Sequence, residues 1–340
     1  MRNSFFNKGI STPGLIIAIL LLIVVFIGGY FAWQYFNKPS IKNVSVTKIP
    51  IESLSPTEAQ KTYLTTKKLA TICEGCKLNE AILSPDGQHF AYTVIKSNGK
   101  WSVFLDGKKV KEYNTPPSPH IYSLTFSPDS KHFAYIAKRD EKYFVVLDGK
   151  EEREYDLINP FSLTFSPNSK HLAYAAKRNG QFFVVLDGKE GERYDTIGSL
   201  TFSPNSKHLA YAAKRNGDYF VVIDGKEEKY EWIDSFSLIF SPDSKRFAYV
   251  VGRNDQYFVV LDGKEGEKYD EVFQLTFSPD SKHLAYIAER ENRYFFVLDG
   301  KEGEKYDTIF GQPRFTQDSQ YIYYAALKGN EIWRIIQKVK

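Results

Sequence analysis

The sequence predicts an all-β chain made of a repeated four-stranded unit, and three observations predict it. Residues 162–180, SLTFSPNSKHLAYAAKRNG, return letter for letter at residues 199–217, with looser copies beginning near Leu83, Leu124, Leu238, Leu275 and Arg314. The turn Ser-Pro-Asp/Asn-Ser/Gly recurs at Ser84, Ser127, Ser166, Ser203, Ser241 and Ser278, with a worn copy at Thr316, a period of about 37 to 43 residues. Strand signals bounded by turn signals at that period indicate a stacked β repeat. The third observation is YFVVLDG at Tyr143 and FFVVLDG at Phe182, which are apolar on both faces. A strand covered on both sides reads as a continuous apolar run, and sheets that pack a neighbour on either face are the blades of a β-propeller. The expectation is therefore a propeller of four-stranded blades, seven favoured over six or eight, preceded by one transmembrane helix.

In chain order, residues 1–13 form a short basic tail carrying Arg2 and Lys8, followed by an uncharged stretch that reaches Asn37. Its centre, LIIAILLLIVVFI, is wholly apolar, and about 20 apolar residues span a bilayer as a helix. Residues 14–36 are read as a signal anchor, with Tyr30, Trp33 and Tyr35 at the interface. The rival, a cleaved signal peptide, meets a poor site: a cut after Ala32 has Tyr30 two residues before it. Basic residues do not decide the orientation, since Lys38, Lys42 and Lys48 stand against Arg2 and Lys8. A short basic tail and a helix at the chain start favour an extracytoplasmic propeller, at the cell surface or in the periplasm. Residues 37–64 read as a linker, and the propeller occupies 65–340.

Two cysteines, Cys73 and Cys76, form a single CEGC. One pair is half a zinc site, so no metal is assigned. A local disulfide suits an exported domain; two free thiols are the alternative.

The blades follow, each ending its third strand at LDG or IDG, at Leu105, Leu147, Leu186, Ile223, Leu261 and Leu298. Asp-Gly between strands is the preferred two-residue hairpin pair because both residues need positive φ. The seventh unit, from Arg314 to about Ile336, stops before a fourth strand. An open edge invites aggregation, so residues 65–72, TTKKLATI, are expected to supply the missing outer strand.

The element SPDG/SPDS-Lys-x-apolar-Ala-Tyr, running in register from about Ala81 to Ala326, resembles the TolB-type, WD40-like propeller repeat of bacterial proteins. The resemblance implies the fold and a binding role. The chain lacks the Gly-His and Trp-Asp dipeptides of eukaryotic WD repeats and the N-terminal domain that accompanies the propeller in TolB, so that protein's partner is not carried over.

Recurring residues are weighed against the repeat. Histidines at His89, His132, His171, His208 and His283 fall on separate blades, about 10 Å apart, and cannot share a metal. They read as turn residues. Arg139, Arg178, Arg215, Arg253 and Arg290 follow the second strands, and Asp156, Asp195, Glu231, Asp270 and Asp307 follow the fourth-strand tyrosines on the same rim. Arginine paired with carboxylate is the bland reading; an arginine ring offered to a partner is the sharper one. The blade-to-blade loops differ from one another, and variable loops on a rigid scaffold carry binding. Tyr122, Phe161, Trp232 and Phe273 are their aromatic candidates.

A net charge of +4 with interleaved signs gives no reason to propose nucleic acid. No GxSxG, HExxH or Gly-rich phosphate loop is present, and near-identical blades place one group at many points rather than different groups at one. The expected function is a membrane-anchored, non-catalytic binding or scaffold domain for a protein or an envelope polymer, with no cofactor. The alternatives are a propeller hydrolase or lyase working in the central channel, and a purely architectural surface domain.

Overall fold

A computed structural model of the chain describes residues 68–114 and 121–339. They form seven antiparallel sheets in which strand order follows chain order, the topology of a β-propeller. The first blade is typical, with Lys77–Leu83 inside, then Phe90–Ile95, Trp101–Leu105 and Lys108–Tyr113. In the third and fifth blades a turn breaks the innermost strand into two short pieces, Leu157–Ile158 with Thr164–Phe165, and Trp232–Ile233 with Ile239–Phe240. The seventh blade has three strands, Thr308–Phe315, Tyr321–Lys328 and Glu331–Lys338.

The turns form for the reasons their composition suggests. Each hairpin Asp-Gly has both residues at positive φ, as at Asp148 (50°) and Gly149 (81°). Asp148 also receives the Phe133 amide at Oδ1 (2.9 Å) and meets His132 Nδ1 through Oδ2 (2.7 Å). The histidines therefore brace the start of the second strand. In the first turn Ser127 Oγ donates to Asp129 Oδ1 (2.7 Å) and accepts the His132 amide (2.9 Å), while Asp129 Oδ1 accepts the Lys131 amide (3.2 Å). Asn168 fills the same role as acceptor of the Lys170 amide (3.0 Å), so a charge is not required.

The turns also join neighbouring blades. The Asp129 amide donates to Ser169 Oγ of the next blade (3.0 Å), and the contact repeats at Asp86–Ser130, Asn168–Ser206, Asn205–Ser244, Asp243–Ser281 and Asp280–Ser319. Serine at this position takes positive φ in each blade from the second to the seventh; the first blade has Gly87 there.

Six buried clusters join consecutive blades. The one between the second and third is representative: Ala134, Ile136 and Val145 meet Leu172, Tyr174, Phe183 and Val185. The fourth-strand tyrosine belongs to the next blade's core, for Tyr155 lies edge-on to Tyr174 and Phe183. Burying such a ring contributes about 1.5 to 3 kcal/mol, so these tyrosines act as blade-to-blade core.

Among the described residues no helix is long and apolar enough to cross a membrane; the tail, the expected anchor at 14–36 and the linker at 37–64 lie outside them. The expected closing strand requires correction within the described part. Lys68–Ile72 forms no strand, and residues 65–67 lie outside the description. A Cβ at Gly107, in the last hairpin of the first blade, would lie 3.9 Å from the Leu69 carbonyl, which places this segment against the first blade. Cys73 and Cys76 are joined by a disulfide, within a turn closed by the Cys76 amide on the Cys73 carbonyl (3.0 Å).

Candidate interaction face

In each blade the hairpin between second and third strands and the connection to the next blade emerge on one face, opposite the Ser-Pro-Asx and Asp-Gly turns. The five arginines lie there, and each is engaged within its own blade. Arg178 donates to both oxygens of Glu190 (2.8 and 3.0 Å), and Arg215 forks onto Glu227 (3.0 and 2.6 Å). Arg253 holds Glu265, Arg290 holds Glu302, and Arg139 spans Glu151 and Glu154. Their guanidinium groups also stack on rings, Arg139 on Phe144 of its own blade at 4.8 Å and Arg178 on Tyr155 of the preceding blade at 4.9 Å.

The acidic set expected opposite them does a different job. Asp156 Oδ2 accepts the amide of Asn179 in the next blade (2.8 Å), and Asp195, Glu231, Asp270 and Asp307 cap the hairpins at Asn216, Asn254, Glu291 and Gly329. These residues staple each blade to the following hairpin.

The freely exposed aromatics lie elsewhere, at mid-height of the innermost strands, opposite Ala175 in the third blade and Val250 in the fifth. Phe161 is 96% exposed and Phe236 86%. Both occupy the turn that interrupts the innermost strand, and the two turns have the same construction. Asn159 Oδ1 accepts the Phe161 amide (3.1 Å), and Asp234 Oδ1 accepts the Phe236 amide (2.9 Å). Ser162 Oγ donates to the Asn159 carbonyl and accepts the Ala175 amide (2.7 and 2.8 Å); Ser237 does the same between Asp234 and Val250 (2.7 and 2.8 Å). These bonds replace the missing strand pairing, so each turn is fixed while its phenylalanine points out.

Each turn leans on the preceding blade. Ser123 of the second blade donates to the Pro160 carbonyl. A Cβ on Gly198 in the fourth blade would come within 2.7 Å of Ser235 Cβ, so only glycine admits the Phe236 turn.

The two turns differ in charge. Lys177 pairs in register with Leu157 beside the Phe161 turn, its ammonium 5.0 Å from the Phe182 ring. Near Phe236, burial pushes the Glu271 carboxyl above its usual range, and the negative charges of Glu289, Asp234 and Asp270 add to the shift.

The remaining candidates are more engaged. Trp232 stands edge-on to Tyr257 at 5.0 Å and lies over Gly252, and Phe273 leans on Tyr294 at 6.3 Å, each with part of its ring exposed. Tyr122 lies in the strand Ile121–Phe126, and its side chain is outside the described set. Phe236 is the site residue that sequence reasoning missed. Its signal was present, since Asn-Pro-Phe-Ser at 159–162 and Asp-Ser-Phe-Ser at 234–237 share the pattern Asx-x-Phe-Ser.

No protein-family profile and no curated protein matches the chain. Among solved structures it is similar to the β-propeller domain of the Trilobed protease from Pyrococcus furiosus, with 14% identity over 79% of this chain and 97% of that one and a TM-score of 0.37. It is also similar to a eukaryotic initiation factor, with 13% identity over 77% and 78% and a TM-score of 0.45. A third is TolB from Acinetobacter baumannii, with 18% identity over 68% and 65% and a TM-score of 0.31.

Proposed function

We propose that this propeller is a membrane-anchored, extracytoplasmic binding domain that holds a partner protein without catalysis, through the inner surface carrying Phe161 and Phe236. The observation that carries the reading is that two phenylalanines, 96% and 86% exposed, are held on turns of one construction. A scaffold without a partner gains nothing by holding two apolar rings in water, and exposed aromatic anchors are what protein interfaces bury at their centres. The two rings belong to the third and fifth blades, with the fourth between them. A partner presenting two apolar pockets fits the pair. Its pocket for Phe236 is expected to be rimmed with cations, because Asp234, Glu271 and Glu289 surround that turn.

The anchor is supported by the uncharged apolar run before Asn37. Protease added to intact cells tests the placement, with a cytoplasmic control protein alongside. Digestion of the propeller while the control survives is the expected outcome, and protection in cells stripped of any outer membrane contradicts it. Binding is tested by co-isolation from membranes: Phe161→Ser/Phe236→Ser should lose partners that the parent chain retains at equal abundance. Unchanged retention would remove this face from consideration.

A further inference from the structure

The seventh blade departs from the other six on the face turned away from its neighbour. In those six, that face of the second strand carries Ala91, Ala134, Ala173, Ala210, Ala248 and Ala285, all at 0% exposure. On the same face, two positions along, the third strand carries Val103, Val145, Val184, Val221, Val259 and Phe296, all buried. The register of Tyr321–Lys328 with Glu331–Lys338 puts Tyr323 at the alanine position and Arg334 at the valine position. Tyr323 is 40% exposed, and Arg334 is exposed as well. A surface meant to be packed dry against another sheet would not exchange alanine and valine for tyrosine and arginine.

The same face holds a hollow of about 490 Å³ lined by Thr316, Tyr321, Tyr323, Arg334 and Ile336. Among the described residues no carboxylate forms an ion pair with Arg334. Beside the hollow the sheet ends early: Glu331–Lys338 pairs with Tyr321–Lys328 and with no further strand among the described residues. Gly87 in the first blade cannot continue the serine links that Ser319 ends.

An open eight-residue edge presents unpaired backbone donors and acceptors at strand spacing, which only another extended polypeptide matches along its length. Neither a bilayer nor a glycan offers that ladder. The Arg334 guanidinium, opposite Ala325 and diagonal to Tyr323 and without an ion-pair partner among the described residues, selects a carboxylate for that strand. This chain's own outer strands show the composition that suits the place, since Glu151, Glu190, Glu227, Glu265 and Glu302 all lie in or beside them. We propose that the outer edge of Glu331–Lys338, with Tyr323 and Arg334 beside it, accepts an acidic extended segment of another polypeptide as the fourth strand of the seventh blade.

A fluorescein-labelled peptide of residues 149–157, GKEEREYDL, tests this directly, because it carries four carboxylates against two cations and comes from an outer strand of the same repeat. It is titrated into the full chain in detergent solution and followed by anisotropy. Saturable binding is expected, weakened about tenfold or more by Arg334→Glu. The same peptide N-methylated at alternate amides should not bind, since that blocks the backbone ladder but leaves every charge in place. Arg334→Lys should retain part of the affinity, and near-ultraviolet circular dichroism of both variants confirms that the blade is intact. The proposal is overturned if the peptide fails to saturate, as it would if the chain's own upstream segment filled the edge. It is equally overturned if binding ignores Arg334→Glu or N-methylation.

Discussion

The amide of Asp280 donates to the hydroxyl of Ser319 in the next blade at 3.1 Å, the last of six such links around the propeller. Each serine serves two turns, closing its own and anchoring the one before it. Ser206→Ala should therefore cost about 1 to 2 kcal/mol, because the Asn168 amide loses its acceptor. Gly87→Ser should bring no stabilisation and cost about 1 kcal/mol, because its φ of +69° strains a side chain and the added hydroxyl has no link to make. Urea unfolding of the two variants beside the parent chain measures both costs.

The His89–Asp106 pair gives the fold a pH dependence with a definite sign. The hydrogen bond to Asp106 raises the His89 pKa above its usual value near 6.5. A raised folded-state value means the contribution is fully present below the unfolded value and is lost as pH rises through the folded one. His89→Gln should thus lower the melting temperature more at pH 5.5 than at pH 8. An equal loss at both would show that the pair acts through shape alone.

Asp129 behaves oppositely. The Ser127 hydroxyl is the largest cause holding its carboxyl down, at about 2. Its contribution is present above the unfolded value and disappears as pH falls through about 2. Asp129→Asn should match the parent at pH 7, as Asn168 serves the same turn in the next blade, and should lose less stability between pH 4 and pH 2. Parallel acid titrations followed by circular dichroism measure it.

Arg178 separates the two readings of the arginine set. It is forked onto Glu190 and stacked on Tyr155, so Arg178→Ala should cost about 1 kcal/mol of stability. Partner retention by the folded variant should be unchanged. A loss of retention without a loss of stability would restore the arginine ring as a contact surface.

Gly198 controls the position of Phe236. A Cβ there meets Ser235 at 2.7 Å, so Gly198→Ala should displace the turn and cost about 1 to 3 kcal/mol. The matching change at Gly180, whose added Cβ meets nothing within 4 Å, tests backbone strain alone because its φ is +82°. Denaturant midpoints of the two variants, with the fluorescence of Trp232 as a local reporter, make the comparison.

The blades were legible in the sequence because every turn in them is local. Ser-Pro-Asx and Asp-Gly fix hairpins within a few residues, and doubly apolar runs such as that at Phe182 declare a sheet covered on both sides. The serine links were not legible, because donor and acceptor lie about a full repeat apart and the serine already has a sufficient local role. Phe236 was hidden behind Trp232 in the same loop, where size drew attention that exposure did not support. The three strands of the seventh blade were legible, but the donor of a fourth was not, because a missing outer strand can be supplied by any chain and no local pattern names it.

The most direct measurement is photo-crosslinking in living cells with a benzoylphenylalanine introduced in turn at positions 161, 236 and, in a Ser-Pro-Asn turn away from both, 207. Positions 161 and 236 should yield an adduct with one common protein, and each adduct should vanish when the other phenylalanine is serine, while position 207 yields none. Adducts confined to position 207, or absent from both phenylalanine positions in a folded, membrane-located chain, would contradict binding through the phenylalanine turns.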